Sequence, residues 1–95
     1  MNQYEALYII VPDLDDEATH ASIDKFKGII ETNGGEIVSI DEWGKKKLAY
    51  EIAYKAEGFY VLMTFAGAPE LPRELERNFK NDEQILRYMV TRKEA

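Results

Sequence analysis

The spacing of apolar residues alternates along the chain between the period of a strand and that of a helix. Residues 4–11 (YEALYIIV) are dense in β-branched and aromatic side chains and stop at Pro12, which predicts a first strand. An apolar stripe at intervals of three and four residues then predicts a helix, which should end near Asn33 because Gly34 and Gly35 follow. This stripe consists of Thr19, Ile23, Phe26 and Ile30.

The middle of the chain is predicted to contain two strands that form a hairpin. The first consists of residues 36–41 (EIVSID) and 48–52 (LAYEI), which have strand character on either side of Trp43-Gly44-Lys45. An almost continuous apolar strand follows at 59–65 (FYVLMTF), and we expect the intervening AYKAEG to be the hairpin loop.

A second, shorter helix and a last strand complete the chain. Leu71, Leu75 and Phe79 recur every four residues with Pro69 near the helix start, and residues 85–92 (ILRYMVTR) form the final strand. The order β-α-β-β-α-β predicts an α+β protein of the ferredoxin-like split βαβ type, with a four-stranded antiparallel sheet and two helices on one face. We expect residues 1–95 to form one such domain.

Two helices in this order leave one face of the sheet uncovered, and that face should be polar if the protein works alone. Instead, the alternation that turns Glu5 outward in the first strand also turns apolar residues outward, and in the last strand Leu86 is expected to point inward. Such a patch marks a docking site for a partner protein, with a covering loop or a second copy of the chain as alternatives. The patch is predicted to contain Leu7, Ile9, Tyr60, Leu62 and Met89.

The composition, 45% hydrophobic and 32% charged, is that of a globular protein, and no apolar run approaches the roughly 20 residues that span a membrane. The absence of cysteine and of a signal-peptide pattern fits a cytosolic protein. Twelve basic and eighteen acidic residues give a net charge of −6, which taken alone argues against nucleic-acid binding. The acidic residues cluster in 13–17 and 70–76, however, so that a basic surface can exist elsewhere.

The residues predict neither a catalytic site nor a metal or cofactor site. His20 lacks a surrounding Ser or Asp constellation, and we expect it to face solvent from the first helix. The carboxylates of DLDDE at 13–17 lack the EF-hand spacing and glycine, and acidic residues at a helix start have an electrostatic reason of their own. Neither of the glycine-rich phosphate-binding motifs G-x-x-x-x-G-K-[ST] and G-x-G-x-x-G occurs. Where ferredoxin-like acylphosphatases use an arginine after the first strand, this chain reads VPDLDD.

Three consecutive lysines, Lys45 to Lys47, follow Trp43-Gly44 and have two interpretations. They protect a strand edge and keep the protein soluble, or they bind phosphate, and the spacing alone favours both equally. Trp43 is either a core residue or an aromatic that stacks on unpaired RNA bases beside these cations.

Several short motifs occur in an order that covers nearly all of the chain. They are YE at Tyr4-Glu5, Pro12, GGEI at 34–37, DEWGKKKLAYEI at 41–52, EGFY at 57–60, REL at 73–75 and ILRYMV at 85–90. The run W-G-basic-basic-x-L-A-Y is highly specific in a βαββαβ context. On these residues the chain resembles the family of bacterial small-subunit ribosomal protein six.

The resemblance implies a structural component of the small ribosomal subunit, located on the ribosome in the cytoplasm, with no enzymatic activity and no cofactor. Members of the family bind the central domain of small-subunit ribosomal RNA together with ribosomal protein eighteen during assembly of the platform. Some also bind a leader in their own messenger, which makes that RNA a second candidate. A basic partner protein would carry part of the phosphate neutralisation and so offset the acidic charge of this chain. We place ribosomal protein eighteen against the uncovered sheet face as a hypothesis.

The motif positions also imply RNA-binding residues. Lys45 and Lys46 stand where many relatives have arginine, and we expect them to contact phosphates because lysine lacks the bidentate fork of arginine. Arg87 is the second candidate contact. Tyr4 and Trp43 complete the predicted set, with a structural role as the alternative for both.

The competing hypothesis is a ferredoxin-like homodimer that buries the same apolar face against itself and binds a small ligand, or oxidises a substrate, in the resulting barrel. Such a barrel needs convergent polar groups in its interior. Only Glu5 and Arg87 are available for that role, and the two are placed to form a cross-strand pair instead.

Overall fold

The computed structural model describes residues 2–93 and contains four strands and two helices in the predicted order. The strands are antiparallel and lie side by side in the order β2-β3-β1-β4, which confirms the ferredoxin-like split βαβ topology. Within the described residues no helix is both long and apolar enough to cross a membrane. The elements are β1 (Asn2–Ile10), α1 (Asp16–Thr32), β2 (Glu36–Ile52), β3 (Lys55–Gly67), α2 (Leu71–Lys80) and β4 (Ile85–Arg92).

Helix α1 ends where the sequence predicts and is capped at both ends. At its start the carboxylate of Asp15 accepts a hydrogen bond from the backbone N–H of Ala18, at 2.8 Å. Asn33 is the C-cap, and Gly34 behind it has φ +81°, a left-handed conformation that glycine adopts without strain.

The core lies between the helices and one face of the sheet. Both predicted helical stripes are buried, and four aromatic rings from β1, β4 and the two helices meet at the centre. The ring of Phe79 lies 4.5 Å from that of Phe26 and 4.8 Å from that of Tyr8, measured between centroids. The strand residues that face this core are Tyr4, Ala6, Tyr8, Ile10, Val61, Met63 and Phe65.

The hairpin between β2 and β3 is longer than predicted, and the expected AYKAEG loop is wrong. Only Ala53 and Tyr54 form the turn, and both have positive φ (+50° and +64°), as in a two-residue hairpin turn with mirror-image geometry. The other four residues of the predicted loop belong to β3. The two arms therefore extend together well beyond the rest of the sheet.

Irregular pairing interrupts the strands at four places. The register of β2 against β3 shifts at Val38, at Trp43 and between Lys47 and Ile52, and the register of β1 against β4 shifts at Leu86. Because of the last shift, Ile85 packs against the core, and the prediction that Leu86 does so is wrong. The shift at Trp43 is accompanied by φ +83° at Gly44, a conformation suited to glycine in a bulge.

Candidate functional site

The sheet face that the helices leave uncovered carries the five apolar residues predicted for it. In the strand register Leu7 lies between Leu62 of β3 and Met89 of β4, and Ile9 lies between Tyr60 and Arg87. A shallow depression of about 280 Å³ on this face is lined by Leu7, Ile9, Tyr60, Arg87, Tyr88 and Met89. We call Leu7, Ile9, Tyr60, Leu62 and Met89 the open-face patch.

The patch is unevenly exposed. Met89 is 54% exposed, whereas Ile9 is 6% exposed although no helix covers it. Ile9 occupies the space that Gly58 leaves in the neighbouring strand, and a methyl group built on Gly58 would lie 2.2 Å from Ile9 Cγ2 and 3.6 Å from Leu48 Cδ2. The side of the patch near the hairpin is thus closed by side chains of the protein itself.

The hairpin also reaches across this face to β4. Arg87 Nη1 donates a hydrogen bond to the hydroxyl of Tyr50 at 2.6 Å, and the guanidinium lies 5.9 Å from the centre of the Tyr50 ring. Arg87, a predicted RNA contact, is exposed but already has this partner. The suggested pair between Arg87 and Glu5 is wrong, because Glu5 lies opposite Thr64 and Thr91.

Trp43 lies beside the open-face patch and has three neighbours. Its ring stacks on that of Tyr60 with centroids 6.3 Å apart and planes 12° apart. Its Nε1–H donates to Asp41 Oδ2 at 3.0 Å, and Lys46 Nζ lies over the ring, 5.1 Å from its centre. With these contacts Trp43 is still 40% exposed, so it is a surface aromatic and not a core residue.

The three lysines do not share one side of the sheet. Lys46 lies opposite Gly58 and points to the open face, toward Trp43. Lys45 lies opposite Phe59 and Lys47 opposite Glu57, positions that alternate to the other side. The predicted pair of phosphate contacts is therefore divided between the two faces, and Lys46 alone lies over Trp43.

Tyr4 lies apart from these residues. Its ring points to the covered face, is 6% exposed and packs 5.6 Å from the ring of Phe65. Its hydroxyl accepts a hydrogen bond from Asn2. The burial of Tyr4 favours its structural alternative over the predicted RNA contact, because the ring would have to leave the core to reach a ligand.

The remaining titratable groups in the described part of the chain do not assemble a reaction centre. His20 is exposed on α1 as predicted, and the carboxylate of Glu42, 3.1 Å away, raises the pKa of His20 above its ordinary value. Burial raises the pKa of the Tyr8 hydroxyl well above its ordinary value. Among residues 2–93 no three His, Asp or Glu side chains are arranged to hold a metal ion.

A sheet with one helix-covered face, one apolar open face and beside it an aromatic–cation cluster, formed by Trp43, Tyr60 and Lys46, is typical of proteins that bind other macromolecules. The family can be named from comparison with known proteins. A family model described as "Ribosomal protein S6" matches residues 3–92, and the chain belongs to this family.

Individual relatives agree with the family assignment. The chain is 52% identical over 94 residues to the small ribosomal subunit protein bS6 of Clostridium novyi, with 99% of each chain covered. It is 46% identical over 95 residues to bS6 of Clostridium beijerinckii, with both chains covered completely. The crystal structure of 30S ribosomal protein S6 from Thermotoga maritima superposes with a TM-score of 0.92 at 30% identity, covering 97% of this chain and 87% of that one.

These findings confirm the resemblance to the ribosomal protein six family, and the chain is a protein of the small ribosomal subunit. Its relatives are named as ribosomal proteins, which are structural components and not enzymes. The prediction of a non-enzymatic, ribosomal protein is therefore confirmed, and the homodimeric oxygenase hypothesis loses its support.

Proposed function

We propose that this protein binds the central domain of small-subunit ribosomal RNA as a heterodimer with ribosomal protein eighteen, during assembly of the subunit platform. The observation that carries the proposal is the open face, where an apolar patch and an aromatic–cation cluster adjoin in a member of the ribosomal protein S6 family. The patch receives the protein, and the neighbouring side of β2 meets the RNA.

The protein half of the proposal rests on the character of the open-face patch. An isolated antiparallel sheet normally turns polar side chains to water, whereas here Leu7, Leu62 and Met89 stand side by side across three strands. A partner that covers them removes apolar surface from water, which is the main driving force of association. The acidic net charge of −6 also favours a basic partner.

The RNA half rests on the cations of the β2–β3 hairpin and β4. Lys46 lies on the open face, Lys45 on the opposite side of the same strand, and Arg87 is within reach of both the patch and the hairpin. These groups suit phosphate oxygens, which take charge-assisted hydrogen bonds from lysine and arginine. Arg87 would exchange its hydrogen bond to Tyr50 for a phosphate.

A gel-shift titration tests both halves. A central-domain ribosomal RNA fragment is titrated with the wild-type protein, with and without ribosomal protein eighteen, at several salt concentrations. We expect tight binding only when both proteins are present. The double variant Lys45→Ala, Lys46→Ala should bind more weakly and show a shallower dependence on salt, by about 0.7–0.9 in logarithmic slope for each phosphate that the variant no longer neutralises.

Matched variants separate the surfaces. Lys27→Ala, Lys80→Ala removes the same charge from the helical side and should leave RNA binding unchanged. Met89→Asp places a charge in the open-face patch and should prevent assembly with the partner protein. Val38→Asp is its control, because Val38 is also 54% exposed but lies outside the patch.

The outcomes discriminate between the alternatives. Partner-dependent binding that Met89→Asp abolishes and the double lysine variant weakens supports the proposal. Partner-dependent binding that the lysine variant leaves unchanged assigns those lysines to solubility alone. A stable homodimer with no RNA binding under any condition refutes the proposal.

A further inference from the structure

We propose that Trp43 is a stacking platform for one unpaired nucleobase, and that Lys46 leaves the indole ring to bind the adjoining phosphate when the base arrives. The inference rests on the proposed function, since it takes RNA to be the ligand. It adds the state of the nucleotide that is recognised, namely unpaired, and the residues that recognise it.

The indole is held in place before any ligand binds. The bulge at Trp43-Gly44 turns the ring toward the open face, where the hydrogen bond from Nε1 to Asp41 fixes its orientation and Tyr60 stacks on it nearly in parallel. A ring that is already oriented loses little conformational freedom on binding. Its 40% exposure leaves surface for a planar ligand.

The position of Lys46 indicates where the ligand binds, and its positive charge indicates that the ligand carries a negative group. Its ammonium lies over the ring at 5.1 Å, a cation–π contact that is weak at an exposed position. A nucleotide offers both groups a better partner, because the base replaces the ammonium on the indole and the phosphate forms an ion pair with the displaced lysine. The two contacts thus exchange together.

The same geometry selects among ligands. The bases of a duplex are stacked on each other and present no free face, so only an unpaired base can use the ring of Trp43. A cationic side chain from a protein would meet the positive charge of Lys46, which disfavours it at this position. The chemistry of Trp43 and Lys46 therefore fits an anionic, planar ligand.

Fluorescence reports directly on the platform, because Trp43 is the only tryptophan of the chain. The wild-type protein is titrated with a single-stranded oligoadenylate of about ten nucleotides, within the usual size of single-strand sites. A duplex of the same length serves as the control. We expect the Trp43 emission to be quenched by the single strand and to be unchanged by the duplex.

Three variants then separate the contribution of stacking to RNA affinity from that of charge. They are measured in the full assembly with the central-domain RNA fragment and ribosomal protein eighteen. Trp43→Leu should weaken binding about fivefold or more and leave the salt dependence unchanged, because it removes stacking and no charge. Lys46→Gln should lower the logarithmic salt slope by about 0.7. Lys47→Gln, which makes the same charge change on the other side of the strand, should do neither. Unchanged thermal unfolding midpoints establish that each variant is folded.

The results separate this inference from the proposed function. Single-strand quenching together with the loss of affinity in Trp43→Leu supports the platform. Normal assembly with protein eighteen and RNA, combined with unaltered Trp43 emission and an unaffected Trp43→Leu variant, overturns the platform while the proposed function stands. Failure of the wild-type protein to bind RNA in any combination overturns both.

Discussion

Replacement of Gly58 by alanine should destabilise the protein, although the change adds a single methyl group. That methyl would lie 2.2 Å from Ile9 Cγ2, whereas carbon atoms in contact are about 3.5–4.0 Å apart, so the two must separate by more than about 1 Å. Ile9 is β-branched, with few rotamers available, and is only 6% exposed between two strands. Adding a methyl to such a packed position costs roughly 1–3 kcal/mol.

Thermal and urea unfolding followed by far-ultraviolet circular dichroism measure this loss. For a chain of this size about 1 kcal/mol corresponds to a shift of about 4–8 °C in Tm, so Gly58→Ala should lower Tm by at least about 4 °C. Gly28→Ala is the matched control. Gly28 lies within α1, where the added methyl would meet no atom within 4 Å apart from its chain neighbours and the adjoining helix backbone, and alanine there should stabilise the protein by about 0.5–1 kcal/mol through its higher helix propensity.

A double-mutant cycle identifies the cause. Ile9→Ala removes the Cγ2 atom that the new methyl would strike, so Gly58→Ala should be less costly in the Ile9→Ala background than in the wild type. We expect a coupling of about 0.5 kcal/mol or more. An equal cost in both backgrounds, or no loss of stability in Gly58→Ala, would show that packing against Ile9 does not explain the glycine.

Three further predictions concern the helices. Phe79→Ala should reduce the free energy of unfolding by about 3–5 kcal/mol, because the ring is 1% exposed at the centre of the core; a loss below about 1 kcal/mol in urea unfolding would contradict this. Asp15→Ala should cost about 1 kcal/mol through the lost N-cap, whereas Asp16→Ala should cost less in the same assay. Glu42 raises the pKa of His20 above 6.5, so the stability that their contact contributes is complete below about pH 6.5 and is lost as pH rises through the folded-state pKa. Proton NMR titration should show a lower His20 pKa in Glu42→Gln, and an unchanged pKa would refute the contact.

Most of the fold could be predicted because its signals are local. The apolar stripe of α1, the stop at Gly34 and the alternation in β1 each follow from a short window of sequence. The length of the hairpin could not be predicted in this way. Ala53 and Tyr54 have positive φ without being glycine or asparagine, so the turn lacks its usual sequence signal.

The part of the site that follows from the topology of the sheet could be predicted from the sequence. The part that depends on one extra residue in β2, the bulge, could not. Two helices on one face leave the other uncovered, which placed Leu7 and Met89 correctly. In a regular strand Trp43 and Lys46, three positions apart, would point to opposite faces. The bulge at Trp43-Gly44 brings them together, and nothing in the spacing of apolar residues indicates a bulge.

The register of β2 against β3 also bears on the two interpretations of the lysine run, which are protection of a strand edge and binding of phosphate. Strand β2 forms one edge of the sheet, and charged residues and bulges on an edge strand oppose pairing with other chains. Lys47, on the side away from Trp43, fits this protective role without a ligand. Lys46 does not need that explanation, because it alone lies over an exposed aromatic ring. An acidic protein can therefore keep three lysines together for two reasons, and the variants Lys46→Gln and Lys47→Gln measure separately what the lysine on each side of the strand contributes to RNA binding.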